Sequence, residues 1–120
     1  MDYNQIVADL FQFRDQIHLW HLQTDSYATH MALNSFYDDI NSQLDRFIEV
    51  SIAHQYTFDC DKLDMPGFTN YNLNIVIEVI SQYIIYIESM KEQFLTGAMQ
   101  NILDDMAESS MQTLYLLRLK

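Results

Sequence analysis

IVIEVISQYIIYI, residues 75–87, decides between two kinds of fold. Its isoleucines and valines would suit a fully buried strand as well as a buried helix. The flanking residues settle the choice. Leu73, Val76, Ile80, Tyr83, Ile87, Met90 and Phe94 advance by threes and fours over a length that strands seldom reach. This spacing predicts a helix. It is apolar around much of its circumference, so burial on more than one side is expected. Thr96-Gly97 is expected to end it, because glycine accepts the left-handed conformation that closes helices.

The same period runs through the rest of the chain. Tyr3, Ile6, Leu10, Phe13, Ile17 and Trp20 mark a first helix, and Gln23-Thr24-Asp25-Ser26 interrupts it. Asp25 or Ser26 can cap the second helix, which runs from Tyr27 to about His54 through Leu33, Phe36, Ile40, Leu44 and Phe47. The segment 57–70, TFDCDKLDMPGFTN, holds the only proline and one of two glycines, so it is the long connection. A fourth helix from about Ala98 turns Met99, Ile102, Met106, Leu114 and Leu117 inward. With so few turn formers, a many-stranded sandwich or barrel is excluded. The expected fold is all-α: an antiparallel four-helix bundle with one long crossover between helices 2 and 3. Its 120 residues make one domain, 1–120.

Seventeen acidic against six basic residues give a formal charge of -11. Direct DNA binding is not expected, because it depends on Lys and Arg displacing counterions from phosphates. A single cysteine, Cys60, excludes an internal disulfide framework and fits a reducing compartment. The N-terminus MDYNQIVADL lacks the pattern of a signal peptide, and Ile75–Ile87 is too short to span ~30 Å of hydrocarbon. A cytoplasmic protein without a membrane partner is expected.

The chemistry lies in the first two helices. His30, Asn34, Asp38, Asn41, Asp45 and Glu49 fall within roughly 100° of arc on one helix face. A solvated face would read the same way. Two features point to more. No Lys or Arg on the stripe neutralises its carboxylates, and it begins with a histidine, a common transition-metal ligand. On the first helix, His18 and His21 share a stripe, and His21 stands nearly level with His30 across the turn. Hydrogen-bonded interhelical histidines are the alternative reading for that pair.

Asp45 and Glu49 form a one-turn pair suited to chelation. They lie fifteen residues from His30, about 22 Å along the axis at 1.5 Å per residue, so one chain cannot close a site from these groups. A second copy of the helix, antiparallel about a two-fold near Asp38–Asn41, sets His30 of one subunit against the acidic pair of the other. Two equivalent intersubunit sites follow. A homodimer or larger homo-oligomer is therefore expected, strengthened by a divalent metal and weakened at acidic pH as the ligands protonate.

HLWHLQTDSYATHMALNSFYDDINSQLDRFIE, residues 18–49, resembles the Dps-type miniferritin motif. His30, Asp45 and Glu49 match it in type and spacing, and His18 or His21 matches its first histidine. HLQTDSYATHMALNSFYDDI and the tail MQNILDDMAESSMQTLYLLRLK are similar to a family of small ferritin-like proteins of tailed phages. The resemblance implies a ferritin-like bundle, with iron as the metal and ferroxidase activity at an intersubunit site of His18 or His21, His30, Asp45 and Glu49. It also implies the cytoplasm of an infected bacterium as the setting. The miniferritin motif has a carboxylate where this chain has Asn34, a neutral and poorer iron ligand. The alternative expectation is a noncatalytic acidic module that binds or inhibits a host protein.

Overall fold

The structure, a computed structural model, describes residues 2–119. Among these, the chain forms four α-helices and no strand: α1 (Tyr3–Gln23), α2 (Tyr27–Ala53), α3 (Leu73–Met90) and α4 (Gly97–Arg118). A short 3-10 turn at Cys60–Lys62 interrupts the long connection. Each helix opens on a side-chain oxygen that accepts a free backbone N–H: Asp2 from Asn4, Ser26 from Thr29, Asn72 from Asn74 and Ile75, and Thr96 from Met99. Of the two candidate caps before α2, Ser26 is the one used.

Thr96-Gly97 does not close α3. That helix stops at Met90, and Thr96 caps α4, whose first residue is Gly97 with a negative φ. The cap hydroxyl offers the α4 N–H groups a partner, and this outweighs glycine's freedom to end a helix. The one residue with positive φ among those described is Gln55, just past the end of α2.

Neighbouring helices run antiparallel. A three-residue turn joins α1 to α2. Gln43 of α2 reaches Asp105 and Ser109 of α4, while Ala28 and Ala32 lie beside Leu116 and Leu119. Tyr71, just before α3, is tied to Gln23 at the far end of α1, and Tyr83 stacks on Phe13 nearer its middle. The apolar stripes read from the sequence converge in one core, including Ile6, Leu10, Ile17, Trp20, Leu33, Phe36, Ile80 and Ile87.

The connection runs the length of α1. Asn4 accepts from the Asp59 N–H, Gln5 donates to the Asp64 carbonyl, and Gln12 to that of Gly67. Gln16 clamps Thr69 from both sides, accepting its N–H at 2.8 Å and donating to its carbonyl at 3.2 Å. Trp20 donates to the same carbonyl at 2.7 Å, and Gln23 accepts the Tyr71 N–H. A segment without regular structure needs partners for its backbone polar groups, and these amides supply them. Gln16 is only 3% exposed. Gln16→Ala is therefore expected to cost about 0.5–1.5 kcal/mol in urea unfolding, because the Thr69 N–H and carbonyl each lose a hydrogen-bond partner.

Burial of α3 departs from expectation. Only Val76, Ile80, Tyr83, Ile87 and Met90 are buried, a single stripe, and 28% of the helix is buried in all. Ile85 is 69% exposed, and Ile75 and Leu73 are also exposed. A corner helix of a four-helix bundle meets neighbours over only part of its circumference, so the remaining apolar residues face outward. By length and composition alone, at mean hydropathy 1.3, α3 would reach across a bilayer. In the fold its buried stripe instead joins the shared core.

A groove between α1 and α3 is lined by Asp9, Gln12, Phe13, Tyr83 and Tyr86. Tyr86 donates its phenolic proton to Asp9 at 2.8 Å. Burial, and then the Asp9 carboxylate, raise the Tyr86 pKa, and burial raises that of Tyr83. A folded-state pKa raised above about 10 gives stability that is present below pH ~10 and lost as pH rises further. Urea midpoints are expected to fall above pH ~10, and Tyr86→Phe should flatten part of that fall.

Candidate functional site

The three histidines of the first two helices meet at the α1–α2 turn. His18 is exposed on α1, His21 is buried, and His30 on α2 is half-buried. The rings of His21 and His30 stack at 4.2 Å between centroids, as their near-level positions across the turn anticipate. His18 lies 5.6 Å from His21 and stacks at 4.1 Å on Tyr37, a residue that the spacing of polar side chains did not single out. Below them Arg14 donates to Asn41 at 3.3 Å and lies over the Phe11 ring.

Hydrogen bonds fix how two of these rings present their nitrogens. His30 Nδ1 lies 2.9 Å from the His21 carbonyl oxygen, and His21 Nδ1 lies 3.3 Å from that of His18. A carbonyl oxygen can only accept, so each Nδ1 must carry the proton. In the neutral ring the lone pair is then on Nε2. An imidazole anchored through Nδ1–H to a backbone carbonyl is the arrangement that orients metal-binding histidines.

Asp45 and Glu49 sit further down α2, both exposed, with no ion pair or hydrogen bond among the described residues. The histidines and the acidic pair stay apart within one chain, as fifteen residues of helix require. Among the described residues, no three His, Cys, Asp or Glu side chains come together closely enough to hold a metal ion. One chain therefore presents two separate polar groups on one face: a pair of oriented imidazoles at one end and a carboxylate couple at the other.

A second polar cluster escaped the sequence reading. Asp39 and Gln43 of α2 face Asp105, Glu108, Ser109 and Gln112 of α4 across a cleft of about 230 Å³. Burial, and then the neighbouring Asp38 charge, raise the Asp39 pKa. The cluster is assembled from two helices far apart in the chain, and the only local signal is the spacing of Asp105, Glu108 and Gln112 on one face of α4.

The fold and these clusters define a small all-helical bundle with a stacked histidine pair between its first two helices. Residues 21–117 match a family of unknown function, DUF5856, and the chain belongs to that family. No curated protein and no solved structure matches it.

Proposed function

We propose that this protein is a ferritin-like metal-binding dimer, related to the Dps-type miniferritins of its sequence resemblance, with iron as the metal. Two equivalent sites each take His21 and His30 from one subunit and the Asp45–Glu49 pair from the other. His18, whose ring nitrogens make no hydrogen bond, stands beside the site as a third imidazole. One observation carries the reading. Both inner histidines spend Nδ1–H on a backbone carbonyl and keep Nε2 for a ligand.

The donor chemistry fits the group. Imidazole nitrogens with carboxylate oxygens suit iron, manganese or zinc. Iron would supply the redox chemistry of a ferroxidase. The chain supplies oriented lone pairs from His21 and His30, and negative charge from Asp45 and Glu49 to offset the ion. Asn34, exposed one turn after His30, adds no charge, so binding is expected to be the firmer property and oxidation the weaker.

Anaerobic loading with ferrous, manganous and zinc ions, followed by metal analysis and native mass, tests this. Wild type should retain about one metal ion per chain and shift toward dimer, while His30→Ala and Glu49→Ala should lose most of it. Wild-type protein that retains no metal, or retains it equally in both variants, would overturn the reading.

A further inference from the structure

The polar stripe of α2 continues past His30 and Glu49. Tyr27 and Ile52 lie on the same arc of the helix, about one turn beyond each end, and are 77% and 48% exposed. The stripe is therefore polar in the middle and apolar at both tips. Its residues also pair about one point, midway between Asp39 and Ile40. Tyr27 and Ile52 are equally distant from that point, as are His30 and Glu49, Asn34 and Asp45, and Asp38 and Asn41. A two-fold axis there sets each residue against its opposite number on an antiparallel second copy.

In this register every carboxylate of the stripe meets a side chain that can donate: Asp38 meets Asn41, Asp45 meets Asn34, and Glu49 meets His30. Sliding the partner one turn in one direction brings Asp38 against Asp45, and like charges repel. Sliding it the other way sets Tyr27 against Ile48, which is already buried. The centre adds a charge pair. Arg14 of α1, its side chain 20% exposed, donates to Asn41 at 3.3 Å and to Asp15 at 3.1 Å. Its second terminal nitrogen makes no hydrogen bond among the described residues, and the exposed Asp38 makes no ion pair there. The two-fold brings Asp38 of one copy to Arg14 and Asn41 of the other. A chain of charge -11 can meet its own copy only through such complementarity.

We propose that α2 docks on a second copy of this chain in this one register without metal, held by Tyr27–Ile52 contacts at both tips and Asp38–Arg14 pairs at the centre. The proposal rests on the antiparallel two-fold of the metal-binding reading, but none of these four residues is a ligand in it. Metal strengthens an association that the side chains already form.

Sedimentation equilibrium in EDTA tests this on the metal-free protein. Wild type should form dimers, and Tyr27→Ser and Ile52→Ser should each weaken them about tenfold. Asp38→Arg should weaken them as well, although it lowers the net charge, because it faces Arg14. Asp61→Arg, the same change on the exposed crossover, should not. A benzophenone side chain in place of Tyr27 should photo-cross-link, again in EDTA, to the segment holding Ile52. Within one helix those positions are about 37 Å apart at 1.5 Å per residue, so the adduct must join two copies. A metal-free monomer, dimers that the three α2 substitutions leave unchanged, or adducts that map elsewhere would overturn the proposal. A dimer that behaves as expected but retains no metal upholds the docking and ends the metal-binding reading. Metal retained by a protein that is monomeric in EDTA does the reverse.

Discussion

Phe94→Ala is expected to destabilise the protein by about 3–5 kcal/mol, among the largest effects of a single truncation in this core. Phe94 is fully buried although it lies beyond the end of α3. Its ring meets Phe47 edge-on at 5.0 Å, Tyr56 at 5.0 Å and Tyr3 at 6.5 Å. These partners come from the start of α1, the C-terminal part of α2 and the beginning of the crossover, so the ring packs one end of the bundle against three chain segments that meet there. Alanine would remove the transfer free energy of the ring and leave a cavity that three separately anchored backbones cannot collapse to fill. Thermal melting should fall by roughly 10 °C or more. Phe94→Leu, which keeps most of the volume, should recover over half of the loss. A melting temperature unchanged by Phe94→Ala would mean that this end of the bundle is packed differently.

The second large effect is an all-or-none one, expected from the proposed two-fold site. His30→Ala breaks the imidazole half of both sites in a homodimer, leaving His21 alone, and Asp45→Asn with Glu49→Gln removes the carboxylate half. Each homodimer should lose most of its metal. Mixing the two variants is expected to restore binding, because each heterodimer carries one site made of His30 from one subunit and Asp45 and Glu49 from the other. The second site of that heterodimer lacks His30 as well as both carboxylates. Random exchange puts about half of the dimers in the heterodimer, so recovery should approach one quarter of the wild-type metal content. Metal analysis after unfolding and refolding the mixture measures it. No recovery, in a mixture that native mass shows to contain heterodimers, would exclude a site shared between subunits.

The sequence by itself determined the helices and the faces they bury. Tyr3 to Trp20, Leu33 to Phe47, Val76 to Met90 and Met99 to Leu117 repeat at a period that only a helix can turn to one side, and those residues form the core. The hydrophobic effect acts on every such stripe alike, so a local pattern is enough to place them. Proximity along the chain also made the His21–His30 pair legible, because a three-residue turn leaves little freedom in how α1 and α2 meet. Tertiary structure decided what depends on residues distant in sequence. Nothing about Gln5, Gln12, Gln16 and Gln23 in isolation marks them as the amides that hold the crossover to α1, since an exposed helix face would carry the same residues. Phe94 continues the α3 spacing, yet it packs from a turn rather than a helix. The exposed isoleucines of α3 and the polar cleft at Gln43 follow from which helices become neighbours. A one-dimensional pattern records how apolar each face is, but the set of partners that covers or completes it arises only when the four helices and the crossover are brought together.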